Sequence, residues 1–348
     1  MSYKQLSDSY QSGLKAGFNQ KINSKCPGFA FTFIGGAYVP FKKFLEQSTD
    51  KCGGEDLRSQ VVGLKKLLEE NGRLSINDLD NRLNRFIEIY QNKLAKAEEQ
   101  GKKLLILLGE THDLQSSTLL EMLFLSYLKT QGFENIQSEY EKDFTNRLES
   151  GSIKSLGTNV FHHLFKMKII PADTNRIKEA VSDTGDVVDY SKLAARNSAI
   201  KKNIVEKSSD HQVGIFGRDH LLDIANHKPI KDKYVVLPID VSINVDIAPQ
   251  ELRSVFENSE SQGTVRFTFD HNIESFTAQR MAEIFGKFLK YKSGEMVNPD
   301  TVFEAKFDIS KDKGCEYFAG KMKSNLAFID KIDNECNELV QSHSPEEL

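Results

Sequence analysis

Four short stretches of the chain gather side chains of the kind that move protons or bind ligands. "GETHD" carries Glu110, His112 and Asp113 directly behind the apolar run "LLILL". "IQSEYE" carries Glu139, "IIPAD" carries Asp173, and "GRDH" carries Arg218, Asp219 and His220 after "QVGIF". Carboxylates and imidazoles are the commonest general acids and bases, so their repeated arrival behind apolar runs asks for a reason. Each has a plain alternative. Asp113 suits the N-cap of a helix through Leu119, and Asp219 suits the cap of one starting at His220. Glu139 stands between Glu134 and Glu141 and, taken alone, reads as a solvated surface acid. A lone His220 reads as an ordinary surface or core histidine. Four coincidences of this kind in equivalent places outweigh any single motif.

The elements that would position them alternate along the chain. "LLILLG" (Leu104 to Gly109) reads as a strand buried on both faces, ended by a glycine turn. "SSTLLEMLFLSYLKTQG" has helical spacing and closes at Gly132. "ENIQSE" is the next strand, and "KMKIIPAD" a third in which Pro171 suits the end better than the middle. "SKLAARNSAIKKNIVEKSS" reads as a helix, "HQVGIFG" as a fourth strand, "RDHLLDIANH" as a helix and "KYVVLPIDVSI" as a fifth strand. This order predicts an α/β fold, a mainly parallel sheet flanked by helices and joined by right-handed crossovers. Open sheets of this kind bind ligands at the carboxyl ends of their strands. The four ionisable stretches would then share one edge.

The flanks differ in texture. "GFAFTFIGGAYVPF" (Gly28 to Phe41) is too short and too broken by glycine to span a bilayer, and reads as a strand and turn. From Leu57 the positions Val61, Leu64, Leu67 and Leu68 follow helical spacing. "SINDLDNRLNRFIEIYQNKLAKAEEQG" reads as another helix, capped by Ser75 or Asn77 and closed by Gly101. After residue 245 come "GTVRFTFDH", which alternates like a half-exposed strand, the helix pattern "NIESFTAQRMAEIFGKFLKY", and a strand candidate in "TVFEAKFDIS". The expected organisation is a mostly helical extension over 1–100 packed on the core, an α/β core over 101–245, and an α+β extension over 246–348. That last part ends in an acidic tail from Lys331.

Composition limits the functions available. A net charge of −4 over 348 residues, with both signs interspersed, offers no basic footprint for nucleic acid. Cys26, Cys52, Cys315 and Cys336 form no CxxC pair or metal-binding cluster and read as reduced thiols. The N-terminal stretch lacks the apolar core of a signal peptide, so a cytoplasmic protein with no membrane span is expected. Export through a signal in the C-terminal tail stays open.

Taken in order, "LLGETHD", the glutamate of "IQSE", the arginine of "AARNSAIKKNI" and "GRDH" resemble a known superfamily. It groups the ChaN-like haem-uptake lipoproteins, the TraB/TIKI proteins and the erythromycin esterases. The resemblance covers roughly Lys103 to Asp240 and is closest to the ChaN-like branch. It implies a rim of Glu and His put to different uses: metal-dependent proteolysis, lactone opening or haem binding. Carried onto this sequence, the rim is Glu110, His112, Glu139, Arg196 and His220.

The hydrolase form implies a borderline divalent ion, Zn or Mn, on His112, His220 and Glu139. A bound water would be activated by the ion, with Glu110 or Glu139 as general base. Arg196 has two open readings: a functional one, in which it stabilises an oxyanion or binds a substrate carboxylate, and a structural one, as partner of Asp173 or Asp113. Two other classes stay open. One is a haem- or cofactor-binding protein, with Tyr140 or a histidine as axial ligand. The other is a non-enzymatic interaction protein. For the latter, the tail "NECNELVQSHSPEEL" resembles those of bacterial type IV effectors, which would make a host protein the partner.

Overall fold

The structure is a computed structural model that describes residues 1–18, 31–34, 37–40, 72–110, 115–138, 160–173, 190–206, 210–241, 260–271, 273, 276 and 278–305. In chain order its elements are α1 (Tyr3–Gly13), β1 (Phe31–Ile34), β2 (Ala37–Pro40), β3 (Gly72–Ser75), α2 (Ile76–Glu99) and β4 (Lys103–Glu110). Next come α3 (Gln115–Thr130), β5 (Asn135–Ser138), β6 (Lys168–Pro171), α4 (Tyr190–Glu206), β7 (Gln212–Gly217), α5 (Arg218–Asn226) and α6 (Lys228–Lys233). The last are β8 (Tyr234–Asp240), β9 (Val265–Arg266), α7 (Ala278–Lys292) and β10 (Val302–Ala305).

The apolar runs end up side by side. Six strands form one parallel sheet in the order β6-β5-β7-β4-β8-β9, flanked by helices, which is an α/β fold. β4 lies between β7 and β8 and is buried along every residue but its first. A strand with no polar residue from Leu104 to Leu108 needs cover on both faces, and it has it. Leu104, Ile106 and Leu108 enter a large core, whereas Leu105 and Leu107 enter a smaller one on the opposite face.

The large layer is built from α2, α3, α7 and α1. Phe86 of α2 stacks on Phe124 of α3 with centroids 4.3 Å apart, and Phe124 meets Phe267 edge-on at 4.8 Å. α1 docks on α7 through Tyr10, whose ring meets Phe285 edge-on at 5.3 Å. The Tyr10 hydroxyl donates to the Ala282 carbonyl at 2.7 Å. α2 opens on a capping box: Ser75 Oγ accepts from the Asp78 N–H, and the Asp78 carboxylate accepts from the Ser75 N–H. It stops at Gly101, whose φ of +63° suits a residue without a Cβ. The thinner layer opposite packs Ile200 and Ile204 of α4, Leu221 and Ile224 of α5 and Ile230 of α6 onto Leu105, Leu107 and Phe216.

Outside the six-stranded sheet are two small antiparallel pairs, β1 with β2 and β3 with β10, and two short helical segments at Leu14–Phe18 and Val160–Leu164. Pro171 does end its strand. Three local expectations need correction. Gly109 is no turn, because β4 runs through it to Glu110. The helix after β7 begins at Arg218 with Gly217 at its N-cap, so Asp219 lies inside the first turn and is not the cap. The helix expected from Asn272 begins at Ala278. Ile273 and Phe276 are both buried and joined by a 3.1 Å turn hydrogen bond, so they copy helical spacing without a helix. Of "GTVRFTFDH" only Val265 and Arg266 pair with a neighbour, and that pairing is parallel. The helix expected from Leu57, all four cysteines and the acidic tail lie outside the described residues.

Candidate functional site

Strand order makes one place on the carboxyl edge special. From β4 the chain crosses through α3 to β5, on the far side of β7. From β7 it crosses through α5 and α6 to β8, on the far side of β4. Right-handed crossovers that run in opposite directions must place their helices on opposite faces. They do: α3 belongs to the large layer, α5 and α6 to the thin one. The ends of β4 and β7 therefore lie at a switch point, where an open sheet leaves a crevice. Register brings Glu110 level with Gly217 there.

Glu110 is buried, with 4% of its surface exposed. Strand alternation puts it on the face of Ile106 and Leu108, beneath the start of α3. That start is held by Ser117 Oγ, which donates to the Val241 carbonyl at 2.7 Å, while the Val241 N–H donates to the Gly109 carbonyl at 2.9 Å. Ser138, buried at the end of β5, shares this face. His112 and Asp113, which follow Glu110, and Glu139 and Tyr140, which follow Ser138, lie outside the described residues.

His220 comes to the same edge from the other face. It is buried in the first turn of α5, and its Nδ1 is hydrogen-bonded to the side-chain amide oxygen of Asn197 on α4. An amide oxygen only accepts, so this pairing calls for the tautomer of the neutral ring with its proton on Nδ1 and its lone pair on Nε2. Arg196, one residue back, donates from Nε to Asp173 Oδ2 at 2.9 Å. Asp173 has no exposed side-chain surface, and its Oδ1 has no hydrogen-bond partner among the described residues. Of the two readings of Arg196, its structural pairing with Asp173 is present. Asn203, two turns on, donates to the Ala172 carbonyl at 2.6 Å and fastens α4 to the end of β6 a second time.

Gly109 makes room for this arrangement. A Cβ there would meet Leu221 Cδ2 at 3.0 Å, tighter than ordinary packing, and the Arg218 Cα at 3.4 Å, so the glycine gives α5 room to start close to β4 without displacing Leu221. Glu110 and His220 thus flank one pair of strand ends from opposite sides of the sheet. Arg196, Asn197, Asp173 and His220 form a linked group on the thin side.

Some of this edge was missed in the sequence. Asp240, fully buried at the end of β8, pairs with Arg266 at 3.5 Å, and Arg266 also reaches Glu260 at 3.3 Å. The strand-end rule that picked out Glu110 would have found Asp240 in "LPID" as well. A second overlooked signal is spelling: Gly109–His112 and Gly217–His220 are both Gly-x-x-His, behind strands that prove to be neighbours. Asn197 stood out in the sequence only as the second residue of "RN" in "AARNSAIKKNI", part of the resemblance, and nothing local announced its partner 23 residues away.

Among the described residues no group of three or more His, Cys, Asp or Glu is gathered as a metal would require. Two of the three expected ligands, His112 and Glu139, lie outside them. Among the described residues no helix is long and apolar enough to cross a membrane. No family model, curated protein or solved structure matches the chain.

Proposed function

We propose that this chain is a metal-dependent hydrolase of ester or amide bonds, working at the carboxyl ends of β4, β5 and β7. The scaffold is read as akin to the ChaN-like, TraB/TIKI and erythromycin-esterase proteins. One observation supports this reading above the rest: at the switch point, neighbouring strands deliver a buried carboxylate, Glu110, and a buried imidazole, His220, to one edge. The donor chemistry fits a borderline ion. An imidazole whose Nδ1 is engaged by an amide oxygen offers Nε2, the arrangement typical of metal-binding histidines.

His220 would hold zinc or manganese together with His112 and Glu139. Such an ion, when bound, brings the pKa of its water toward neutrality and polarises a carbonyl. Glu110 takes the proton from the attacking water and returns it to the departing oxygen or nitrogen. Its burial keeps bulk water from competing for that proton. Arg196 acts through Asp173, holding the first turns of α4 against the end of β6.

The test is turnover by the purified chain of a panel of activated esters and peptide amides, compared with Glu110→Gln, alongside metal content and the visible spectrum. Glu110→Gln keeps shape but removes the charge, so turnover should fall at least 100-fold, an order-of-magnitude expectation for a lost general base, while metal is retained. Loss of both would make Glu110 a ligand. A Soret band would favour a haem protein. Neither metal, haem nor turnover would overturn the hydrolase and leave an exported interaction protein with a host partner as the reading.

A further inference from the structure

We propose that Asn197 is the positioning residue of this edge: its amide oxygen holds His220 with the proton on Nδ1 and so presents Nε2 to the ligand. This rests on the reading that His220 serves a site here, and it names the residue that sets the ring's protonation pattern. Asn197 and His220 are 4% and 5% exposed, so the bond between them is shielded from water. A neutral imidazole has two tautomers, and the partner of one nitrogen decides which nitrogen keeps the lone pair. With an acceptor at Nδ1, that nitrogen is Nε2.

Both backbones behind the bond are fixed. On the α4 side, Arg196 and Asn203 bind Asp173 and the Ala172 carbonyl, one residue before Asn197 and six after it. On the α5 side, the close approach of Arg218 and Leu221 to Gly109 seats the first turn against β4. A hook on a clamped helix facing a ring on a clamped helix has little freedom to change partners. The choice of residue matters too. A carboxylate at 197 would set the same tautomer, but its charge would favour the imidazolium, which binds no metal. The neutral amide fixes the tautomer without that penalty.

The experiment is 15N and 13C NMR of the imidazole rings in the full chain, with His220 assigned from the signal lost in His220→Ala. Wild type is expected to show the Nδ1-protonated form of His220. Asn197→Leu, similar in size but with no acceptor, should shift the ring toward the Nε2-protonated form while the other histidine signals stay in place. Asn197→Asp should restore the Nδ1-protonated form at a pH high enough to keep the ring neutral, and should carry the imidazolium to higher pH than wild type does. Zinc alone, added to each, should bind Asn197→Leu about 10-fold more weakly, at the mild end of what lost outer-shell partners cost.

The proposal is overturned if wild-type His220 is Nε2-protonated, or if Asn197→Leu leaves its tautomer unchanged. The wild-type tautomer decides even if Asn197→Leu fails to fold. If the tautomer responds as expected but wild type binds no zinc and turns over nothing, Asn197 still positions His220 and the hydrolase reading alone falls.

Discussion

The two faces of the sheet are built for different purposes. On one, α2, α3 and α7 press Phe86, Phe124, Phe267, Phe285 and Phe288 into a thick aromatic layer. On the other, α4, α5 and α6 lay a thin aliphatic layer over Leu105, Leu107 and Phe216, edged by Asp173, Arg196, Asn197 and His220. Apolar area removed from water scales with stability, so the thick face dominates the folding free energy. The thin face has little to spare, and its helices are fastened by polar bonds with fixed geometry. Such bonds orient side chains well, and they fail badly when one partner is removed. Stability and precision of placement therefore sit on opposite sides of the same strands.

Mutations that act on one face only should separate these roles. Phe124→Ala opens the centre of the thick layer, between Phe86 and Phe267, and should cost about 3–5 kcal/mol. Urea unfolding would measure the loss, and the His220 NMR signals of the remaining folded protein should not move. Movement there would mean that the two faces are not independent. Asp173→Ala should cost somewhat less, about 3 kcal/mol, because it leaves Arg196 largely buried without its acid. Here the His220 signals should shift, since α4 loses one of its two fastenings beside Asn197. Equal stability and unchanged signals would remove the clamp from the description.

The smallest expected effect lies at the amino edge. His211 Nδ1 accepts the Leu104 N–H at 2.9 Å, which requires a neutral ring. Burial, aided by the positive charge of Lys103, holds this imidazole below its ordinary value of 6.5. The unfolded chain takes up a proton from about that value downward before the folded chain does. His211 therefore contributes stability that is present above pH 6.5 and is lost as pH falls through the lower folded value. Unfolding curves between pH 7.5 and 5 (about the range over which histidines titrate) should show wild type losing more stability than His211→Gln. Parallel curves would contradict this.

Much of this architecture was legible in the sequence because it rests on local signals. Continuous apolar runs marked the central strands, Ser75 and Gly101 bracketed α2, and Pro171 marked the end of β6. The strand-end rule pointed to Glu110, Asp173 and His220 before any pairing was known. What stayed hidden depends on long-range pairing. The order β6-β5-β7-β4-β8-β9, which creates the switch point, is spelled by no single stretch. Nor is the fact that Glu110 and His220 approach from opposite faces, which follows from alternation along β4 and from the side on which α5 packs. Arg196 left two readings open because one helix face can meet several acids, and only the fold brought Asp173 to it. Ile273 and Phe276 misled for a related reason, since burial three residues apart serves a turn as well as a helix.

The most direct test of the proposed site is calorimetric titration of the purified full chain with Zn2+ and, separately, Mn2+, repeated on His220→Ala. One saturable site in wild type is predicted for at least one of the two ions. In His220→Ala its affinity should fall at least 100-fold, as an order-of-magnitude expectation for loss of one of three or four ligands, and the metal-free protein should stay folded with a lowered melting temperature, since buried Asn197 loses its partner. Binding of equal strength in wild type and His220→Ala, or none in either, would contradict a metal site at the ends of β4 and β7.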